Sequence, residues 1–157
     1  MIYMAVPAIQ AAKHLAKLSH WKYTHLEIQK LLYLAHMFHL VKENEKPLVH
    51  GYFEAWEWGP VHPELYYELR LAGGKPILKS YPAWKNEKSI DSENIDVKWL
   101  NYISKCFPPG DGYRLLDITH NEQSAWKQLY KPMMNNRISE EDIIKEYNDQ
   151  VNAAKRR

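Results

Sequence analysis

Cysteine is nearly absent from this sequence. Its 157 residues include a single cysteine, Cys106, so an internal disulfide is excluded. A lone thiol is typical of a reducing compartment, and we therefore expect a cytoplasmic location. The N-terminal residues lack the basic start and the uninterrupted apolar stretch of a signal peptide. No apolar run approaches the roughly 20 residues that span a bilayer, so a membrane partner is not expected.

A surplus of charge of one sign is also missing. The chain carries 21 basic and 19 acidic side chains, which gives a net charge of +2. Each third of the sequence is balanced to within one charge. Proteins that bind nucleic acid need a basic surplus to neutralise phosphates, so the sequence disfavours this class. The basic residues at 155–157 are expected to belong to a frayed tail at 150–157.

Patterns typical of catalytic and metal sites are missing as well. The sequence contains no HExxH or CxxC pattern and no glycine-rich phosphate loop. His36 and His39 could converge on one helix, but His25 lies too far along it to complete a zinc site. We expect His39 to hydrogen-bond in the core, and His25 and His36 to face a polar groove. Cys106 is interpreted as a small core residue. The sequence therefore predicts no catalytic residues, no metal, no cofactor and no enzymatic activity.

Aromatic residues, in contrast, are abundant, with 6 Trp, 11 Tyr and 3 Phe. A chain of this length forms one domain by default and can bury roughly 70% of its unfolded surface. Trp and Tyr combine a large apolar body with a polar tip, and they are common at half-buried positions and interfaces. The aromatic content therefore indicates either a packed aromatic core or a surface for another protein.

Helical periodicity dominates the chain. The strongest segment, THLEIQKLLYLAHMFHLVKE, covers 24–43, and Thr24 and Glu27 have the spacing of a capping box. Apolar side chains on both of its faces predict a central, buried helix. An N-terminal helix is predicted within 1–20. Further helices are predicted at 63–72, at 95–107, after a capping Asp111, around Trp126 and Leu129, and after a capping Ser139.

One segment, 52–58, alternates like a strand. Pairing with 76–80 would give a short β-hairpin, and Gly59-Pro60 is expected to turn the chain. The predicted fold is therefore mainly α: a compact helical bundle around the central helix, with a small β element.

The stretch DITHNEQSAW at 117–126 allows two interpretations. Thr119, His120 and Glu122 could form a polar site. Alternatively, two short helices meet here and Asn121 or Ser124 caps the second. We favour the second interpretation, with Trp126 as an anchor.

A dense aromatic stretch, EAWEWGPVHPELY, occupies 54–66. If its first part is a strand, Trp56 and Trp58 point to the same side. Either the central helix covers these two indoles or another protein does. Gly-Pro and His-Pro stiffen the chain that follows. Trp, Tyr and Arg dominate interface hot spots. The predicted partner-binding residues are Trp56, Trp58, His62, Tyr66, Tyr67 and Arg70.

The order of these segments resembles the Panacea domain of SocA-like and phage-associated GepA-like antitoxins. The resemblance covers about 20–150 and rests on THLEIQKLLYLAHMFHL, KPLVHGYFEAWEWGPVHPELYYEL, LLDITHNEQSAW and a terminal ISEEDIIKEY. The first two blocks are specific in combination. Family members often carry a proline immediately before the tryptophan of the third block, where this chain has Ala125.

The resemblance implies that 1–157 form a single helical domain. It also implies an antitoxin of a type II-like toxin–antitoxin system that neutralises a cognate protein toxin by direct contact. An adaptor that delivers a toxin to a protease, or a role beside a chaperone, belongs to the same class. A nucleic-acid-binding regulator is the alternative from another class, although the helix at 63–72 offers only Arg70 against two glutamates. The third alternative function is that of a hydrolase that uses the histidines.

Overall fold

The computed structural model describes residues 3–156. These residues form a mainly helical domain with one small antiparallel sheet, which confirms the predicted fold class. The α-helices are α1 Ala8–Leu18, α2 His25–Lys42, α3 Pro63–Leu69, α4 Ile95–Cys106, α5 Gly112–Thr119, α6 Ala125–Leu129 and α7 Glu140–Lys155. The strands are β1 Phe53–Trp56, β2 Gly59–Val61 and β3 Asn136–Ile138. Within 3–156, no helix is long and apolar enough to cross a membrane.

The centre of the fold is α2, which contacts α1, α3, α4, α5, α7 and β2. Fourteen of its 18 residues are buried, as its apolar faces predicted. The capping box is present: Thr24 Oγ1 accepts from the Glu27 backbone N–H, and Glu27 Oε1 accepts from the Thr24 N–H. The second oxygen of Glu27 accepts from the Gly110 N–H at 2.8 Å. The cap therefore also anchors the loop between α4 and α5.

The sheet differs from the predicted hairpin. β1 is the middle strand, paired antiparallel with β2 on one side and with β3 on the other. The expected pairing with 76–80 is wrong: Pro76 bridges Thr24, and the Ile77 N–H donates to the Tyr23 carbonyl. The expected turn at Gly59-Pro60 is also wrong, because 57–58 make the turn and Pro60 lies in β2. Proline is tolerated there because β2 is an edge strand.

The helix boundaries follow local capping. His62 and Ser124 cap α3 and α6, each accepting from a backbone N–H in the first turn. A capping box joins Ser139 to Asp142 at the start of α7, as predicted. Asp111 precedes α5 but makes no capping bond with its side chain. The frayed tail expected at 150–157 is wrong for its first six residues, because α7 continues to Lys155.

A buried carboxyl group joins α2 to the C-terminal part of the chain. Glu146 on α7 accepts from the Tyr33 hydroxyl at 2.7 Å and from the Ala125 N–H at 2.9 Å through the same oxygen. Burial raises the pKa of Glu146 from 4.5 to about 7, although these hydrogen bonds oppose the rise.

Replacing Glu146 with Gln should change the pH dependence of stability. Between pH 4.5 and 7 the folded protein binds a proton that the unfolded chain has lost, so the stabilising contribution of Glu146 falls as pH rises. Gln keeps the acceptor oxygen but does not titrate. We expect urea unfolding at pH 5 and 7 to show a larger loss of stability for the wild type than for the variant. Equal losses of stability in the two proteins would contradict a raised pKa for Glu146.

Candidate partner-binding groove

The groove is built on the tight hairpin of β1 and β2. Trp56 pairs with Gly59, so only Glu57 and Trp58 form the turn. Phe53 and Ala55 are buried, whereas Glu54 and Trp56 lie on the other face and are half-buried. The Trp56 indole N–H donates to Glu54 Oε1 at 2.9 Å. At the tip of the hairpin, 64% of the Trp58 surface is exposed.

The hairpin, the first half of α2 and α3 enclose a groove of about 320 Å³. A series of aromatic contacts forms one side of it. The ring centres of Trp56 and Tyr66 lie 4.9 Å apart, and those of Tyr66 and His25 lie 5.4 Å apart. We call this the aromatic groove; its lining residues are His25, Leu26, Gln29, Lys30, Trp56, Glu57, Trp58, Val61, Tyr66 and Gly73.

Three of the predicted partner-binding residues, Trp56, Trp58 and Tyr66, line the aromatic groove. Two more extend it: the Tyr67 ring lies 5.9 Å from Tyr66, and the Arg70 guanidinium lies 5.2 Å from the Tyr67 ring centre. Tyr67 is 63% exposed. These five residues therefore form one continuous surface.

His62 lies beneath that surface, because its side chain is only 1% exposed. Its Nδ1 accepts from the Leu65 N–H as the cap of α3, and its Nε2 lies 2.8 Å from the His50 carbonyl oxygen. Burial lowers the pKa of His62, which is consistent with a neutral ring that accepts on one side and donates on the other. His62 positions α3 and is not available to a partner in this structure.

Gln29 and Lys30 form the polar floor of the groove, which was not predicted from the sequence. Gln29 Oε1 accepts from the His62 N–H at 2.8 Å, and its amide donates to the His62 carbonyl at 3.3 Å. The Lys30 amine donates to the Pro60 carbonyl at 2.9 Å. Burial lowers the pKa of Lys30 from 10.5 to about 7. One signal was present in the sequence: Lys30 has Leu26, Tyr33 and Leu34 as neighbours on its helix face, which is typical of a buried position.

A stack of rings supports the hairpin from α5 and α6. The Trp126 ring stacks on the rings of His120 and Tyr130, with distances between ring centres of 3.9 and 4.9 Å. The Trp126 indole N–H also donates to the Trp56 carbonyl. Burial lowers the pKa of His120, whereas the Trp58 backbone opposes the change. Ser124 caps α6, and Asn121 bonds only to nearby backbone. The capping interpretation of DITHNEQSAW is therefore confirmed.

The remaining candidate residues are the histidines of α2, which are buried, and Cys106. His39 Nε2 lies 2.7 Å from Asp96 Oδ1 with both side chains inaccessible, so its predicted place in the core is confirmed. His36 is buried and contacts Phe53 and Glu140, so the polar groove expected beside it is instead the interior. His25 is also largely buried, but it lines the aromatic groove beside Gln29 and Lys30. Cys106 is half-buried. Residues 3–156 contain no group of three His, Cys, Asp or Glu arranged for a metal ion.

The chemistry of the aromatic groove is therefore that of binding. It offers apolar rings, one guanidinium and buried polar groups that already have partners in the fold. Aromatic side chains of this kind present large, rigid contact areas to another protein.

Comparison with known proteins agrees with the blocks noted in the sequence. A family model described as antitoxin SocA-like, Panacea domain, matches residues 28–127. The chain belongs to this family of SocA-like antitoxins with a Panacea domain.

A curated relative, Antitoxin SocA from Caulobacter vibrioides (strain NA1000 / CB15N), is 49% identical over 55 residues. The match covers 35% of this chain and only 29% of the relative. No solved structure matches the chain.

Replacing Gly59 with Ala should destabilise the hairpin. Gly59 has a φ of 111°, and an added Cβ would lie 2.8 Å from His120 Nε2 and 2.9 Å from Lys30 Cε. We expect a loss of about 1–3 kcal/mol in the free energy of unfolding, measured with urea. The control is Gly74→Ala, where a Cβ meets no atom within 4 Å. Similar urea midpoints for the two variants would refute the close packing of Gly59 against His120 and Lys30.

Replacing Lys30 with Met should remove a pH-dependent part of stability. Between pH 7 and 10.5 the unfolded chain binds a proton that folded Lys30 has lost, so wild-type stability should rise with pH. The slope from this group is up to about 1.4 kcal/mol per pH unit. We expect urea unfolding at pH 7 and 9 to show this rise in the wild type and a smaller one in the variant. An unchanged rise would mean that Lys30 is charged in the folded protein.

Proposed function

We propose that this chain is an antitoxin that neutralises a cognate protein toxin by direct contact through the aromatic groove. The observation that carries the proposal is a match of the Panacea family model over residues 28–127. That match contains the whole hairpin and α3, which build the groove.

The physical basis is preorganisation. Trp56 and Tyr66 are fixed by ring contacts, and the backbone under them is fixed by Gln29 and Lys30. Rigid aromatic side chains lose little conformational entropy on binding, so tight association does not require a large interface. The exposed Trp58 and Tyr67 then serve as anchors that enter pockets of the toxin.

Binding of this kind is compatible with two outcomes for the toxin. Covering its working site neutralises it sterically. Presenting it to a protease, as an adaptor does, removes it. We propose the steric route, and the half-life of the toxin in the presence of the antitoxin distinguishes the two: it stays unchanged in the first case and shortens in the second.

The double variant Trp58→Ala/Tyr67→Ala tests the position of the interface. It should remain folded, because both side chains are mostly exposed, and it should bind the toxin about 10–100-fold more weakly. The measurement is growth rescue and affinity against the cognate toxin, which is to be sought among the products of adjacent reading frames.

A matched control is Tyr113→Ala/Met133→Ala, which truncates two exposed side chains outside the groove. This control should protect like the wild type. A folded Trp58→Ala/Tyr67→Ala protein that protects fully would show that the toxin binds elsewhere.

A further inference from the structure

A second cleft, of about 470 Å³, lies between α1 and the segment 79–85. Its lining residues are Lys13, Lys17, Trp21, Lys79, Trp84 and Lys85. The composition is unusual in a chain with nearly balanced charge, because every charged lining residue is a lysine. We call it the lysine cleft.

The lysine cleft concentrates the positive charge of the protein. Lys88 lies in an adjoining small cleft that also contains Lys13 and Lys17. Without these five lysines, the net charge of +2 becomes −3 for the rest of the chain. In the part of the chain that the structure describes, none of them forms a salt bridge. This local surplus of positive charge is not visible in the charge balance of each third of the sequence, because it comes from two separate regions, 13–17 and 79–88.

Lys13 gives the lysine cleft a fixed wall. Its amine donates to the Trp84 carbonyl at 3.0 Å and to the Glu87 carbonyl at 2.8 Å, which attaches the loop to α1. An ammonium group has three donors, so one remains for an anion. Lys17, Lys79 and Lys85 are exposed and can move onto a ligand.

The two tryptophans supply the other recognition elements. Trp84 is 2% exposed, and its indole N–H has no hydrogen-bond partner among residues 3–156. Its buried indole forms part of the wall of the cleft. Trp21 is half-buried and follows α1 through a turn in which His20 and Trp21 both have positive φ. This strained turn, rare for an aromatic residue, brings the second indole to the cleft.

We propose that the lysine cleft binds a free mononucleotide, with its phosphates on the lysine ammonium groups and its base against Trp21. Lysine is a common phosphate ligand, and a nucleobase stacks favourably on an aromatic ring. The volume lies within the range of small-ligand pockets. The lysines surround one cleft and do not form the extended stripe that a nucleic acid strand follows. The proposal is independent of the aromatic groove.

The test is isothermal titration calorimetry of the full chain with ATP, inorganic pyrophosphate and a short oligothymidylate, at low and at physiological salt. ATP should bind more tightly than pyrophosphate, and its affinity should fall with salt. The variant Lys17→Gln/Lys79→Gln/Lys85→Gln should weaken ATP binding about tenfold or more. Trp21→Ala should weaken ATP binding and leave pyrophosphate binding unchanged, which identifies the contact with the base.

The control Lys105→Gln/Lys127→Gln/Lys131→Gln removes the same net charge at exposed lysines outside the lysine cleft. It should bind ATP like the wild type. Equal weakening by both triple variants would overturn the proposal, as would equal affinity for ATP and pyrophosphate. Tighter binding of the oligothymidylate, dependent on the same lysines, would replace it with a nucleic acid site. Circular dichroism establishes whether each variant is folded. If the triple variant is unfolded, the single variant Lys79→Gln replaces it in the ATP titration.

Discussion

The contact between two neighbouring side chains of α2 and the chain that leads into α3 determines the shape of the aromatic groove. Lys30 donates to the Pro60 carbonyl, and Gln29 exchanges two hydrogen bonds with the His62 backbone. Edge strands and helix starts carry backbone groups without partners, and here side chains from the central helix satisfy them. These hydrogen bonds attach the hairpin and the start of α3 to α2, and the aromatic groove lies between the attached elements.

This contact also relates two sequence blocks that share no obvious chemistry. QKLLY supplies the donors and acceptors, and GPVHP supplies the backbone to which they bond. Placing an amine in the interior is costly, and here the lysine has a carbonyl as its partner. Glu146 shows the same pattern on another side of α2, since its partners are a hydroxyl and a backbone N–H. These buried polar groups add little net stability, but they select one arrangement of the elements around the helix.

Local signals in the sequence predicted much of this structure. The capping box before α2 and the serine cap of α7 are short patterns with a direct backbone consequence, and both are present. Strand pairing was not predictable in the same way. β3 has only three residues, too few for a periodic pattern, and its partner lies more than 80 positions earlier. The candidate site was predicted as a group of aromatic residues, but burial decided their roles: His62 supports the surface from below, and Lys30 forms its floor.

The central position of β1 bears on how the protein is made. One edge of β1 pairs with β2, which follows immediately in the chain, but the other edge pairs with β3, Asn136–Ile138. While the chain emerges from the ribosome, that second edge exposes its backbone groups until β3, more than 80 residues further along the chain, has been synthesised. Unpaired strand edges favour association with other chains. A nascent molecule is therefore vulnerable to aggregation at this edge until β3 has paired with β1.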